Sequence, residues 1–202
     1  LRRLAERALG RDVAVAEVAG WLADPGGLPT LFYDEIIDAS HPLFVHSRGI
    51  QEHVRRLYHV DAEYLPFCVY RSFAPATIAT PARAEARRAL GIAADESVIV
   101  SLGIVDAVKS PGVCIDALMH LERAGHRARL YFVGRCPDAT REALDRRAAA
   151  AGVAGRVTFS TGWLDEQAYR RYLVAADAGV QLRGHFFGGL SGALMDCVAA
   201  GL

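Results

Sequence analysis

From Val98 onward, short apolar runs alternate with longer amphipathic segments. Ser97–Leu102 is a β-branched run suited to a strand buried on both faces. Ser110-Pro111 then reads as an N-cap followed by proline at the first helical position. Cys114, Ala117, Leu118 and Leu121 recur at i, i+3, i+4 and i+7, which makes one apolar helix face, and Gly125 stops that helix. Arg129–Val133 is the next strand. Asp138 opens a helix that runs to Gly152, with Leu144 and several alanines on its buried side. Val157–Ser160 is a third strand. Asp165 caps the following helix, and Leu164 and Tyr169 have the spacing of a hydrophobic staple. Ala178–Leu182 is a fourth strand, and Gly188-Gly189 leads into a helix around Ser191–Ala200.

This repeated strand–helix alternation predicts an α/β domain with a parallel, doubly wound sheet and right-handed crossovers. Ligands of such sheets bind outside the carboxyl ends of the strands. Those ends are the loops 103–109, 134–138, 161–165 and 183–190.

The first third is less regular. Leu1–Leu9 has a helical pattern ending at Gly10, Asp12–Ala16 is strand-like, and Leu28–Ala39 suits a helix. Leu43–His46 is a short strand, after which Ser47 caps a helix carrying Ile50, Val54 and Leu57. Glu63–Cys68 is another strand. Arg71–Pro81 holds two prolines and small residues without periodicity, and reads as a linker. Arg83–Leu90, stopped by Gly91, is a helix. The expected division is the tail of one α/β domain over 1–70, a linker over 71–81, and a second domain over 82–202. The chain does not begin with Met and stops just after Gly201, a residue type that ends helices, so a fragment of a longer protein is expected.

With 202 residues and 52% hydrophobic content, the chain can bury a substantial core as one domain or parts of two. Its 23 acidic and 23 basic residues balance, which argues against a general nucleic-acid binder. No apolar run is long enough for an integral membrane segment, and no secretory signal opens the chain. Cys68, Cys114, Cys136 and Cys197 form no Cys-x-x-Cys pair, so neither a zinc site nor a disulfide framework is expected. The cytoplasm is the expected compartment, with peripheral attachment to a membrane compatible with the same sequence.

One residue stands out against this balance. Of the 23 basic residues, Lys109 alone is lysine. It sits between a buried strand and the Ser110-Pro111 helix start, where helix amides and a compact ammonium would together favour a phosphate. The competing reading is a solvated loop lysine. Gly184-His-Phe-Phe-Gly-Gly-Leu-Ser191 is a second candidate: Gly188 and Gly189 allow close backbone approach, and Ser191 can cap the next helix just after Leu190. An ordinary turn is the alternative. Asp196 lies inside an apolar helix and suits either sugar hydroxyls or a solvated helix face. Trp163 is either a cover for a nucleobase or a core or interface tryptophan. Arg135 and Arg183 are each a phosphate partner or a surface arginine. His46 and His185 have no evident carboxylate partner and receive no catalytic role.

The order of these segments resembles the retaining, nucleotide-sugar-dependent glycosyltransferases of the GT-B fold, specifically family 4. Leu102-Gly-Ile-Val-Asp-Ala-Val-Lys-Ser110 is similar to that family's Gly-Arg-x-x-x-x-Lys-Gly segment. Arg129–Gly134 is similar to its strand ending in Val-Gly. Val157–Gly162, with Ala176-Asp177 further on, is similar to its Val-x-Phe-x-Gly and Ala-Asp segments. Phe187–Gly201 is placed like its block of two glutamates with seven residues between them, which ends in Ala-x-Gly. Leu43–Ser47 and Tyr64–Pro66 resemble the close of its N-terminal domain. The resemblance covers most of residues 41–202.

It implies a Rossmann-like GT-B fold in two domains and glycosyl transfer from a nucleotide-diphosphate sugar to a glycan, lipid or small-molecule acceptor. The donor is a substrate; no cofactor or metal is implied. Lys109 would hold the donor diphosphate, with Gly103, Gly134, Arg135, Trp163, Leu164, Gly188, Gly189, Leu190 and Ser191 around the donor. Asp196, aligned with the second glutamate, would bind ribose. Two departures stand out: the family's arginine falls on Ile104 and its first glutamate on Gly188. They admit a degenerate, non-catalytic relative acting as a binding or scaffold module. A GT-B epimerase ranks lower because its acid and base residues have no counterparts here. The catalytic residues would lie upstream, so this chain is not expected to be a complete enzyme. A nicotinamide dehydrogenase is disfavoured, since no Gly-x-Gly-x-x-Gly follows a strand.

Overall fold

The computed structural model describes residues 2–3, 6, 10–23, 37, 39–40, 42–67, 71–73, 79–160, 162–184 and 190–202. The expected helix over 28–39 lies almost wholly outside these. The chain divides into two compact units, Leu1–Phe67 and Cys68–Leu202.

In the first unit, α1 spans Val15–Ala23. This corrects the strand-like reading of Asp12–Ala16. The alternating valines mislead because Val15 is exposed on the helix, while Val13, just before it, packs with Val18 and Trp21 one turn apart on the helix. Phe44–Val45 (β1) and Glu63–Tyr64 (β2) pair in parallel, with Phe44 opposite Glu63. Between them α2 (Arg48–Tyr58) starts at Ser47, whose Oγ accepts the Ile50 amide at 3.4 Å. Val45, Val54 and Ala62 form the buried cluster.

In the second unit, α3 (Thr80–Ala89) begins earlier than Arg83 because proline fits in its first turn. The sheet is built from β3 (Ser97–Leu102), β4 (Ala128–Val133), β5 (Val157–Phe159) and β6 (Ala178–Gly179). Connecting helices are α4 (Pro111–Arg123), α5 (Asp138–Ala150) and α6 (Glu166–Ala175), and α7 (Gly192–Ala199) follows β6. The strands are all parallel, in the order β5-β4-β3-β6. The strand expected over Ala178–Leu182 is shorter, although the Val180 amide still reaches the Val100 carbonyl at 2.8 Å.

Strand alternation divides the core between two faces. Val98, Val100, Leu102, Tyr131 and Val133 pack with Ala86, Leu173 and Cys197 of α3, α6 and α7. Leu130 and Phe132 pack with Ile115 and Leu118 of α4 and with Leu144 and Ala148 of α5. The sheet is therefore covered on both sides, as a hydrophobic β3 and β4 require. The chain steps outward from β3 to β4 to β5, then returns through α6 to place β6 on the other side of β3. That reversal opens a crevice at the carboxyl ends of β3 and β6, where doubly wound sheets hold ligands.

The opposite edge is tied by charge. Asp177 accepts the Val98 amide at 2.7 Å and pairs with Arg83. Glu96, only 4% exposed, is paired with Arg129 at 3.2 Å and Arg156 at 2.6 Å. Buried carboxylates require such partners, and this network fixes where β3 begins.

Candidate functional site

The loop after β3 is shaped by two local devices. The Asp106 carboxylate accepts the Lys109 amide at 3.2 Å, closing a short 3-10 turn over Ala107–Lys109. Ser110 then adopts φ 48° and ψ 50°, and its side chain makes no capping bond to α4. This corrects the expected role of its hydroxyl. Ser110 does stand at the N-cap with Pro111 after it, but left-handed geometry turns the chain there.

Lys109 Nζ donates to the Leu102 carbonyl at 2.8 Å, at the carboxyl end of β3. Burial holds its pKa below the ordinary 10.5, and the positive charge of Arg183 adds to that; Asp106 opposes it. A half-buried ammonium kept at such a cost has its strongest use when an anion is present. The loop packs closely: a Cβ on Gly103 would lie 2.6 Å from Lys109 Nζ. A Cβ on Gly134 (φ 143°) would collide with the Gly103 carbonyl. The two strand ends are pressed together at a spacing that only glycine permits. The buried Ser160 Oγ accepts the Gly134 amide at 2.8 Å.

Beside this loop lies a cleft of about 260 Å³. Gly103, Gly134, Arg135, Trp163, Leu164 and Asp196 all line it, as does Ile104. Trp163 is 86% exposed, so the core alternative for this indole is excluded. Asp165 caps α6 through the Ala168 amide at 2.7 Å, and Leu164 and Tyr169 both pack on the core. Lys109, Leu190 and Ser191 are not in the lining. Lys109 touches the cleft through Gly103. Ser191 caps α7 by accepting the Leu194 amide at 3.3 Å, and Ala193 and Asp196 of that helix face the cleft. Leu190 is 43% exposed. Gly188 and Gly189, with His185, lie outside the described residues.

Asp196 is only 3% exposed, which removes the solvated-helix-face alternative. Its Oδ2 accepts from Arg71 Nη1 at 2.8 Å and from Tyr169 Oη at 2.9 Å. Arg71 Nε also bonds Glu166 at 3.0 Å, and its guanidinium lies 4.6 Å from the centre of the Tyr169 ring. Burial opposes the charge on Arg71, but the bonds to Glu166 and Asp196 outweigh it and raise its pKa. Burial, then the bond to Asp196, pushes Tyr169 upward as well, so its hydroxyl stays a donor. Arg71 and Tyr169 are site residues that the sequence pattern does not mark. Tyr169 is visible only as half of a staple, and Arg71 sits in an aperiodic stretch.

In the segment after β6, Arg183 Nη2 donates to Ser191 Oγ at 3.1 Å, and the Gly184 amide donates to the Val108 carbonyl at 2.7 Å. Among the described residues, no group of three or more His, Cys, Asp or Glu side chains is placed to hold a metal. No described helix is long and apolar enough to cross a membrane.

No protein-family model and no curated protein matches this sequence. Solved structures do match its fold. WaaG, a glycosyltransferase involved in lipopolysaccharide biosynthesis, superposes with a TM-score of 0.65 at 20% identity, over 95% of this chain and 53% of its own. HepE of Anabaena, solved in complex with UDP and glucose, gives 0.66 at 15% identity, over 87% and 46%. Sucrose-phosphate synthase of Thermosynechococcus elongatus gives 0.59 at 19%, over 74% and 36%. The fold is of the GT-B type. The GT-B segment seen here spans between about a third and about half of each of these proteins.

Proposed function

We propose that this protein is the donor-binding part of a glycosyltransferase that takes a sugar from a nucleotide-diphosphate donor, retaining anomeric configuration, as in family 4. The observation that carries the reading is the half-buried Lys109 ammonium at the strand-order reversal, packed against Gly103, which lines the cleft. Such a charge matches a diphosphate better than any neutral ligand. The likeness in fold to HepE, which was solved with UDP-glucose at a TM-score of 0.66, supports the same choice of ligand.

Each residue then has a physical task. During transfer the bond between the anomeric carbon and the diphosphate oxygen breaks, and the electron pair stays on the diphosphate. Lys109 stabilises that developing charge where it is partly shielded from water. Trp163 offers a face on which a base can stack. Asp196, oriented by Arg71 and Tyr169 through Oδ2, presents Oδ1 toward ribose hydroxyls. The acceptor, a glycan, lipid or small molecule, receives the sugar through its hydroxyl oxygen, which loses a proton. The unit Leu1–Phe67 is read as the close of an acceptor-side domain and the cytoplasm as the compartment.

A second reading is a non-catalytic binding module, favoured by Ile104 standing where the resemblance expects an arginine. Assay of the protein with a panel of nucleotide sugars decides between them. NMR of the released or transferred sugar should show the donor's anomeric configuration, with turnover abolished in Lys109→Ala. Binding without turnover in the full gene product would favour the module. Well-folded protein that binds no nucleotide sugar would contradict both.

A further inference from the structure

The second cation that the β3 loop lacks has a counterpart across the crevice. Ile104, 39% exposed and lining the cleft, carries no charge. In the segment that follows β6, Arg183 is exposed. The Gly184 amide clips this segment to the Lys109 loop through the Val108 carbonyl at 2.7 Å. Gly184 is also tight against that loop: a Cβ there would lie 3.4 Å from Ser110 Oγ. The Arg183 guanidinium is aimed by two bonds, Nη2 to Ser191 Oγ at 3.1 Å and Nη1 to the Leu182 carbonyl at 2.9 Å. Ser191 in turn caps α7. Among the described residues, no carboxylate forms an ion pair with Arg183 or Lys109, whereas Arg71, Arg83, Arg87, Arg129 and Arg156 all have acidic partners. Asp106 is spent on the Lys109 backbone amide.

We infer that Arg183 is a second diphosphate-binding cation, supplied from the segment after β6 in place of the arginine that Ile104 does not provide. Lys109 and Arg183 then grip the anion from the segments that follow β3 and β6, and the diphosphate bridges them. The Arg183 charge acts to lower the Lys109 pKa, and Asp106 is the smaller, opposing influence. Ligand charge would relieve that repulsion. A guanidinium also presents paired donors, which an ammonium does not, so the two cations are not interchangeable. The inference rests on the donor-binding reading above and adds a residue to it.

The test is calorimetric titration of the whole chain with UDP, GDP, ADP and TDP, with the matching nucleosides, and with inorganic pyrophosphate. Arg183→Gln should weaken the preferred nucleoside diphosphate about tenfold or more and leave the nucleoside unchanged. Arg183→Lys should recover part of the loss. Ile104→Arg placed in the Arg183→Gln background should recover more, because it restores a guanidinium at the position the family uses. Thermal melts report whether each variant is folded. Unchanged diphosphate affinity in Arg183→Gln, with a clear loss in Lys109→Ala, would overturn this inference and leave the donor site standing. Equal losses for nucleoside and diphosphate would assign Arg183 to bracing Ser191 and also overturn it. No binding by folded wild-type protein would overturn the donor site itself, and this inference with it.

Discussion

In the proposed donor site Lys109 carries the charge that would meet the diphosphate, and its environment sets a pH dependence. Its pKa is lowered by burial and by Arg183, so the ammonium is lost at a lower pH than in an ordinary lysine. Affinity for a nucleoside diphosphate should therefore fall as pH rises through that lowered value. In Lys109→Arg the charge persists, and the fall should disappear over the same range. For the unliganded protein the sign is opposite. The unfolded chain holds this proton to higher pH, so stability should rise as pH climbs from the folded pKa toward 10.5. Titration and urea melts between pH 8 and pH 10.5 read both effects. The adjacent Ser110 tests the loop's geometry. A β-carbon at φ 48° is strained, so Ser110→Gly should stabilise the fold by roughly 0.5–1 kcal/mol. The resemblance places glycine at this position, and the backbone now gives the reason. A lower urea midpoint in that variant would contradict this.

At the scale of elements, α6 and α7 are joined by Tyr169, Asp196 and Arg71. Removing Arg71 leaves a carboxylate that is 3% exposed with one neutral donor. Arg71→Met should cost about 3 kcal/mol, and Asp196→Asn in the same chain should recover a substantial part. A double-mutant cycle by urea denaturation checks this, and additive losses would show that the pair is not coupled. These elements also mark where sequence reasoning stops. The strands β3 and β4 are legible because most of their positions are buried and their apolar runs, Val98–Val100 and Leu130–Val133, are nearly unbroken. The amphipathic faces and the Asp165 and Ser191 caps are legible because each leaves a local spacing. The Arg71 contact is not, since it joins residues 125 apart in sequence. The error over Asp12–Ala16 has a related cause: a few alternating valines fit a strand locally, but packing with Trp21 decides for a helix.

At the scale of the molecule, the strand order turns separate loop motifs into a site. The sequence pattern indicates four strands with ligand loops at one edge, but not that β6 returns beside β3. That return brings the loop 103–109 beside Arg183 and Gly184, with Ser191 bonded to Arg183. It also separates the ligand edge from the Glu96 and Asp177 ion network, so the Ala176-Asp177 segment braces the fold and does not line the site. A crystal structure of the protein with its preferred nucleoside diphosphate shows whether the crevice at the carboxyl ends of β3 and β6 is the donor site. A phosphate oxygen is expected within about 3 Å of Lys109 Nζ, with the base near Trp163 and the ribose near Asp196. A nucleotide bound elsewhere, with Lys109 still donating only to the Leu102 carbonyl, would contradict it.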